Sequence, residues 1–177
     1  MRNVVSGLFI SLDGVIENAN DWIGPWFSPE LGRAVGEMIG AQDAMLLGRV
    51  TYCEFAAHWP HQSGEMADTM NHTPKHVVSA TLKHAGWQNT TLVNGHLETE
   101  LADLKNQPGK NIGITGSATL VASLMRARLL DELHLFVFPV VLGSGKRLFN
   151  DGEKVPLRLI ESQALPNGVM SLRYAGA

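Results

Sequence analysis

Eight short apolar runs, each bounded by Gly, Pro, Asn or Asp, recur along this chain, and that rhythm restricts its fold more than any other feature. They read "NVVSGLFISL", "DAMLLG", "KHVVSA", "TTLVN", "NIGITG", "ELHLFVFPVVL", "PLRLIESQAL" and "VMSLRYA", and their length and punctuation are those of strands. Helical patterns separate the early runs. "SPELGRAVGEMIGAQ" opens with Ser28 as N-cap, Pro29 at the first helical position and Glu30 in the first turn. "SATLVASLMRARL" opens on Ser117 and sets Leu120, Leu124 and Ala127 on one face. A weaker helix is expected from Glu98 to Lys105. Strands alternating with helices imply parallel neighbours joined by right-handed crossovers. The last two runs instead meet across "LPNGV", where Asn167-Gly168 signals a hairpin, so the sheet should finish antiparallel. "HWPHQSGEMADTMNHTP" reads as a long polar connection.

The chain is 177 residues long, with 45% hydrophobic and 18% charged residues, enough to bury one core and predicting a single domain over residues 1–177. A net charge of -3, without a run of Lys or Arg, argues against nucleic acid or an anionic membrane surface as partner and for a small-molecule substrate. No apolar run approaches the roughly 20 residues of a membrane span. The lone Cys53 can form no internal disulfide, which fits a cytoplasmic location.

In an open α/β sheet, ligands gather where strands end and helices begin. Three such junctions stand out. At "LLGRVTY", Gly48 permits close backbone approach while Arg49 and Thr51 open the next helix, an arrangement that suits a phosphate. The plainer alternative is a turn glycine, a capping threonine and a solvated arginine. At "VVSATL", Ser79 and Thr81 follow a buried strand and could hold a sugar or phosphate, or be ordinary turn residues. At "NIGITGSATL", Gly116-Ser117 lies between strand and helix, where backbone could cradle a diphosphate. Together the three would suit one long anionic ligand, such as a dinucleotide. "VVLGSGKRLF" is not a nucleoside-triphosphate loop, because Arg147 rather than Ser or Thr follows Lys146; Gly143 and Gly145 are expected to turn the chain tightly there.

In "SLDGVIE", Asp13 could orient a substrate amine or polarise a water, or serve as a turn carboxylate before Gly14. Glu30 is open to the same two readings, since an acid suits a helix N-terminus regardless of chemistry. His58 and His61, and His72 and His76, are spaced like metal ligands, but Pro60 and Pro74 interrupt both pairs, so no metal is expected. No G-x-S-x-G elbow is present for a serine hydrolase.

The segments "SLDGVIE", "LLGRVTYCEF", "HVVSATL" and "IGITGSATLVASLMRARLLDELHLFVFPVVLGSGKRLF" occur in an order that resembles the dihydrofolate reductase superfamily, and more closely the C-terminal reductase domain of the bifunctional riboflavin-biosynthesis deaminase/reductase. The resemblance implies a three-layer α/β fold: a mixed, mostly parallel sheet of about eight strands, helices on both faces and a C-terminal antiparallel hairpin. It also implies an NADPH-dependent reductase. Gly48, Arg49 and Thr51 would hold the NADPH phosphates, with Arg49 on the 2′-phosphate. Ser79 and Thr81 would lie by the adenosine. Gly116 and Ser117 would take the place of a double glycine that cradles the diphosphate, with Ala118 and Thr119 following them in the cofactor site, and Ile16 would face the nicotinamide. Asp13 and Glu30 are the candidate proton relays. The family often makes the double-glycine bond cis; Ser117 argues against that here, because a non-prolyl cis bond costs about 2.5–4 kcal/mol. "DWIGPWFSPE" departs from the tryptophan and proline pattern of dihydrofolate reductases, and the zinc motif of the deaminase half is absent. The implied substrate is a ribosylamino-pyrimidine phosphate or another small heterocyclic or sugar-like carbonyl or imine. A nucleotide-binding protein without turnover, on the same fold, is the alternative. The resemblance further implies a homodimer, for which "ELHLFVFPVVL" is the candidate interface strand.

Overall fold

The computed structural model describes residues 1–149 and 154–176. In chain order its elements are β1 (Val4–Ser11), α1 (Ala19–Trp22), α2 (Pro29–Gly40), β2 (Gln42–Gly48), α3 (Arg49–His58), α4 (Glu65–His72), β3 (Lys75–Val78), β4 (Thr90–Val93), α5 (Leu97–Asn106), β5 (Asn111–Ile114), α6 (Ala118–Arg126), β6 (Glu132–Phe138), β7 (Leu157–Ala164) and β8 (Met170–Gly176). All eight strands form one sheet in the order β4-β3-β2-β5-β1-β6-β8-β7. The first six run parallel to their neighbours, β8 is antiparallel to β6, and β7 is antiparallel to β8. The hairpin expected at Asn167-Gly168 is present: both residues take positive φ, 65° and 82°, as a tight connection requires.

Side-chain alternation divides the core into two layers. Along β1, β2 and β5, Val4, Leu8, Ile10, Leu46, Ile112 and Ile114 pack with Leu101 and Leu104 of α5 and with Leu120, Val121 and Leu124 of α6. The opposite face is covered in two parts. Leu31 of α2 packs with Phe136 and Phe138. Tyr52 of α3 and Met70 of α4 pack with Met45, Leu47 and Val77. Gly7 in the middle of β1 leaves the space that the end of the Met38 side chain of α2 fills. Because α2 runs from the Phe138 end of the sheet toward Gly7, its N-terminus with Glu30 stands at the carboxyl ends of the strands.

Three features differ from the sequence expectation. Strand β6 stops at Phe138 rather than running on to Leu142, since Pro139 brings no N–H to continue the ladder. It also lies inside the sheet, paired with β1 on one side and β8 on the other, so it offers no edge to a second subunit; the open edges are β4 and β7. The polar connection after α3 contains a short turn at Trp59–His61 and the helix α4. That helix buries only Ala67 and Met70, too few apolar positions to stand out among its polar residues.

Lys75 is fully buried at the start of β3. Its ammonium donates to the carbonyls of Thr73 at 2.7 Å, Asn71 at 3.0 Å and Gln88 at 3.2 Å, and it lies 4.2 Å from the centroid of the Trp87 ring. Trp87 in turn donates its indole N–H to Asn71 Oδ1 at 2.8 Å. One cation therefore ties the end of α4 to the strand that follows it and to the approach to β4. Burial pushes Lys75 down from 10.5 to about 8, while the carbonyls and the ring favour the charged form. Between these two values the unfolded chain binds more protons than the folded one. The stability contributed by this shift is therefore complete above 10.5 and lost as pH falls through about 8. Urea unfolding at pH 7.5 and pH 10 should show the wild type gaining up to about 2 kcal/mol over Lys75→Met across that interval; parallel pH profiles for the two proteins would contradict it.

Candidate active site

The parallel strands β2, β5 and β1 end side by side, and glycines draw the first two ends together. A Cβ on Gly48 would lie 3.0 Å from Ser117 Cβ, and one on Gly116 would lie 3.5 Å from Thr51 Oγ1. Two helices thus begin at one place: α3 after Gly48 and α6 after Ser117. The unpaired N–H groups of both first turns face this junction, a ready environment for an anion. Ser117 caps α6, its hydroxyl accepting from Leu120 N at 3.4 Å. The Gly116–Ser117 peptide bond is cis, contrary to the expectation from the serine. The side chain is accommodated because it turns into the helix cap, while Gly116 takes the positive φ of 84°.

Arg49 is exposed at the mouth of this junction and has no hydrogen bond or ion pair to any described residue. Thr51 is buried beside Gly116. Ala118 is packed into the core, so only its backbone can face a ligand, whereas Thr119 is exposed and its hydroxyl receives Lys146 Nζ at 3.4 Å. Ser79 is buried, and its Oγ accepts from Thr81 N at 3.2 Å and Leu82 N at 2.9 Å, which is the turn-forming role; Thr81 itself is exposed. Ile16 packs at the margin of the α5 and α6 layer, and its N–H donates to Lys146 O at 3.0 Å. Glu30 is half-buried in the first turn of α2, where Ser28 caps the helix by accepting from Leu31 N at 3.2 Å.

Asp13 closes the other side. Its carboxylate accepts from Ser11 Oγ at 2.7 Å, Leu142 N at 3.1 Å and Gly143 N at 2.9 Å, and Arg147 lies 3.6 Å away. The Ser11 hydroxyl, followed by the Leu142 and Gly143 amides, holds the carboxyl well below the usual carboxylate range. A carboxylate so occupied keeps no proton to donate near neutrality; its work is to bind the loop after β6 to the end of β1. The same loop is fastened by Leu148 N to Gly14 O at 3.0 Å and Lys146 N to Glu17 Oε2 at 3.2 Å. Gly145 is indispensable there, since a Cβ would lie 2.6 Å from Val15 Cγ1. Sequence reasoning did not single out this clamp, nor Trp22 and Trp26, which stack edge-on against Phe138 at 5.4 and 6.5 Å near the head of α2. The aromatic-rich "DWIGPWF" was the available signal.

Two cavities lie away from these strand ends. One of about 620 Å³ sits between the end of α6 and β8, and one of about 750 Å³ sits beside α3 and Trp87. Among the described residues no group of three or more His, Cys, Asp and Glu could hold a metal ion, and no helix is long and apolar enough to cross a membrane.

An eight-stranded sheet of this order, with glycines and two helix N-termini gathered at its parallel carboxyl ends, defines a dihydrofolate reductase-like fold. Within that class, the chain belongs to the RibD C-terminal domain family, which it matches over residues 2–171. It is 29% identical to the uncharacterized protein YyaP of Bacillus subtilis, over 98% of this chain and 94% of that one. Among solved structures, a putative riboflavin biosynthesis protein of a Shewanella species superposes with a TM-score of 0.76 at 24% identity, covering 100% of this chain and 99% of that one. A dihydrofolate reductase of Enterococcus faecalis, complexed with NADP(H) and RAB-propyl, superposes with a TM-score of 0.66 at 14% identity, covering 98% and 96%. At these identities the structures speak to fold.

The clamp makes a specific prediction. Asp13→Asn replaces one acceptor oxygen by a donor that faces the amides of Leu142 and Gly143. Hydrogen exchange at those two amides should rise while exchange in β5 stays unchanged. Because the folded-state carboxyl titrates below its ordinary value of 3.8, its contribution is present above that pH and lost only well below it. In the wild type the loop amides should therefore remain protected at pH 4.5.

Proposed function

We propose that this protein is an NADPH-dependent oxidoreductase acting on a small heterocyclic or sugar-like substrate, in the manner of a 5-amino-6-(5-phosphoribosylamino)uracil reductase or a dihydrofolate reductase. The observation that carries the reading is Arg49. It is a guanidinium without a protein partner among the described residues, beside the N-termini of α3 and α6 and the close approach of Gly48 to Ser117. A diphosphate fits the backbone there, because the glycines leave room and the first-turn amides donate. Arg49 adds a charge-assisted donor for the 2′-phosphate that distinguishes NADPH from NADH. Bound in that groove, the cofactor supplies the hydride.

The chain's own residues supply alignment. Thr51 supports Gly116 from below, Lys146 brings a second cation to the head of α6, and Asp13 holds the loop that carries it. Glu30, half-buried at the head of α2, is the group we assign to proton delivery, in preference to Asp13, whose oxygens already accept from three donors. We further propose a cytoplasmic homodimer in which the exposed Leu159 and Ile160 of the edge strand β7 contribute to the interface.

NADPH oxidation against a panel containing 5-amino-6-(5-phosphoribosylamino)uracil and dihydrofolate, preceded by cofactor fluorescence titration, tests the activity. Binding without oxidation of any substrate would favour the non-catalytic nucleotide binder. Arg49→Ala should weaken NADPH binding roughly ten- to hundredfold, the worth of a charge-assisted hydrogen bond, and leave NADH binding unchanged. Equal losses for both cofactors would remove Arg49 from the 2′-phosphate.

A further inference from the structure

The cavity of about 620 Å³ between the end of α6 and β8 lies away from the strand ends that form the candidate active site. Helix α6 begins at Ser117, in that site, and its nine residues carry the chain roughly 14 Å toward the other end of the sheet. The two places share one helix and no lining residue. The floor of the cavity is the margin of the core. Leu133 is buried there, while Leu130, Leu157 and Tyr174 pack against the α5 and α6 layer and remain half-exposed. Apolar surface left open inside a concave site of this size is what a small ligand covers.

The rim has the opposite character. Arg126, Arg128 and Lys154 line it, against a single acidic side chain, Asp131. That carboxylate is already engaged: Lys105 Nζ donates to its two oxygens at 2.7 and 2.9 Å, and Val4 N donates to one of them at 2.7 Å. The chain as a whole carries a net charge of -3, so three cations around one opening are a local excess. A cation in the last turn of a helix complements the macrodipole, and Arg126 fills that role. Arg128 needs another reason. It follows the cap residue Ala127 and takes a φ of 56°, with its N–H returning to Met125 O at 3.1 Å and that of Leu129 to Leu124 O at 2.8 Å. Glycine fits such a helix end without strain; an arginine there holds a guanidinium at the mouth of the cavity. Among the described residues the Arg128 and Lys154 side chains have no hydrogen-bond or ion-pair partner, and neither has the Tyr174 hydroxyl.

We infer that this cavity is a second binding site, for a small carboxylate with an apolar body. The guanidinium fork of Arg128 matches a carboxylate through two parallel N–H donors, Lys154 adds a point charge, and the Tyr174 hydroxyl can donate to the same group. The apolar body lies on Leu130, Leu133 and Leu157. One negative charge suits the site better than the two of a phosphate monoester, because the C-terminal end of α6, negative by its dipole, stands beside the cavity. Such a site stands apart from any cofactor held by Arg49.

Cinnamate is the probe, and cinnamamide, of the same shape without the charge, is its control; isothermal titration calorimetry measures both. The wild type should bind one cinnamate, and should bind cinnamamide at least about tenfold more weakly. Arg128→Gly keeps the backbone conformation and removes the guanidinium. It should weaken cinnamate about tenfold and leave the thermal midpoint of the free protein unchanged or raised; Lys154→Gln should weaken cinnamate about threefold. Arg49→Ala should bind cinnamate as the wild type does. No cinnamate binding, or equal binding of acid and amide, would overturn the inference. So would a loss on Arg49→Ala that Arg128→Gly does not share, which would put the anion where α3 and α6 begin. A lowered midpoint for Arg128→Gly would show the guanidinium already held within the protein, and affinity that falls as protein concentration rises would show a second copy of the chain over the cavity; either result overturns the site.

Discussion

The contact between Gly48 and Ser117 sets the geometry of the whole carboxyl end of the sheet. Strands β2 and β5 are neighbours, each leads directly into a helix, and the two helices can begin side by side only if the backbones meet without side chains between them. A Cβ on Gly48 would lie 3.0 Å from Ser117 Cβ, so an alanine there would already need Ser117 to give by a few tenths of an ångström, and a bulkier side chain would press α3 and α6 apart. Two half-charges of the same sign would then no longer add over one volume. The positive potential of the groove is thus built mainly from backbone, and Arg49 and Lys146 extend a field that already exists. Folds of this kind concentrate function where strands end because that is where unpaired amides are unavoidable.

The other half of the site depends on a different device. After β6 the chain leaves the sheet, and Asp13 turns the first part of that passage into a fixed wall. Ser11 orients the carboxylate, two consecutive amides of the loop fasten to it, and Gly145 lets the returning chain lie against Val15. Asp13, one of the two acids open to both a catalytic and a turn-forming reading, has its carboxylate engaged by three donors. Glu30 keeps its freedom, because Ser28 already caps the helix that presents it. Which of two acids is free for chemistry is decided by their hydrogen-bond partners.

Much of the frame was legible in the sequence because it obeys local rules. Apolar runs marked the strands, Ser28 and Ser117 marked helix starts that the structure bears out, and Asn167-Gly168 marked the final hairpin. The parallel direction of the early strands followed from their alternation with helices, whereas their order in the sheet did not. What escaped depends on contacts between distant segments. Asp13 meets Leu142 and Gly143 across about 130 positions of chain, and no local pattern announces such a pairing. Helix α4 was hidden because it buries two residues only, and β6 was drawn too long because "PVVL" continues an apolar run that Pro139 has already ended. Ser79 Oγ accepts from two amides of the turn that follows, a local contact of the kind hydroxyls beyond a strand commonly make.

Burial holds the Lys75 amine down to about 8, which favours its neutral, nucleophilic form, and the same burial leaves no part of it open to solvent. Reactivity and access are therefore opposed at one atom. While α4, β3 and the segment around Trp87 remain assembled, an acylating reagent cannot reach the amine. Once that unit opens, the Asn71, Thr73 and Gln88 carbonyls release it together. The residue is in effect an internal clock for one corner of the molecule: the rate at which it acquires a label measures how often the β3–β4 edge parts from α4, independently of events where α3 and α6 begin.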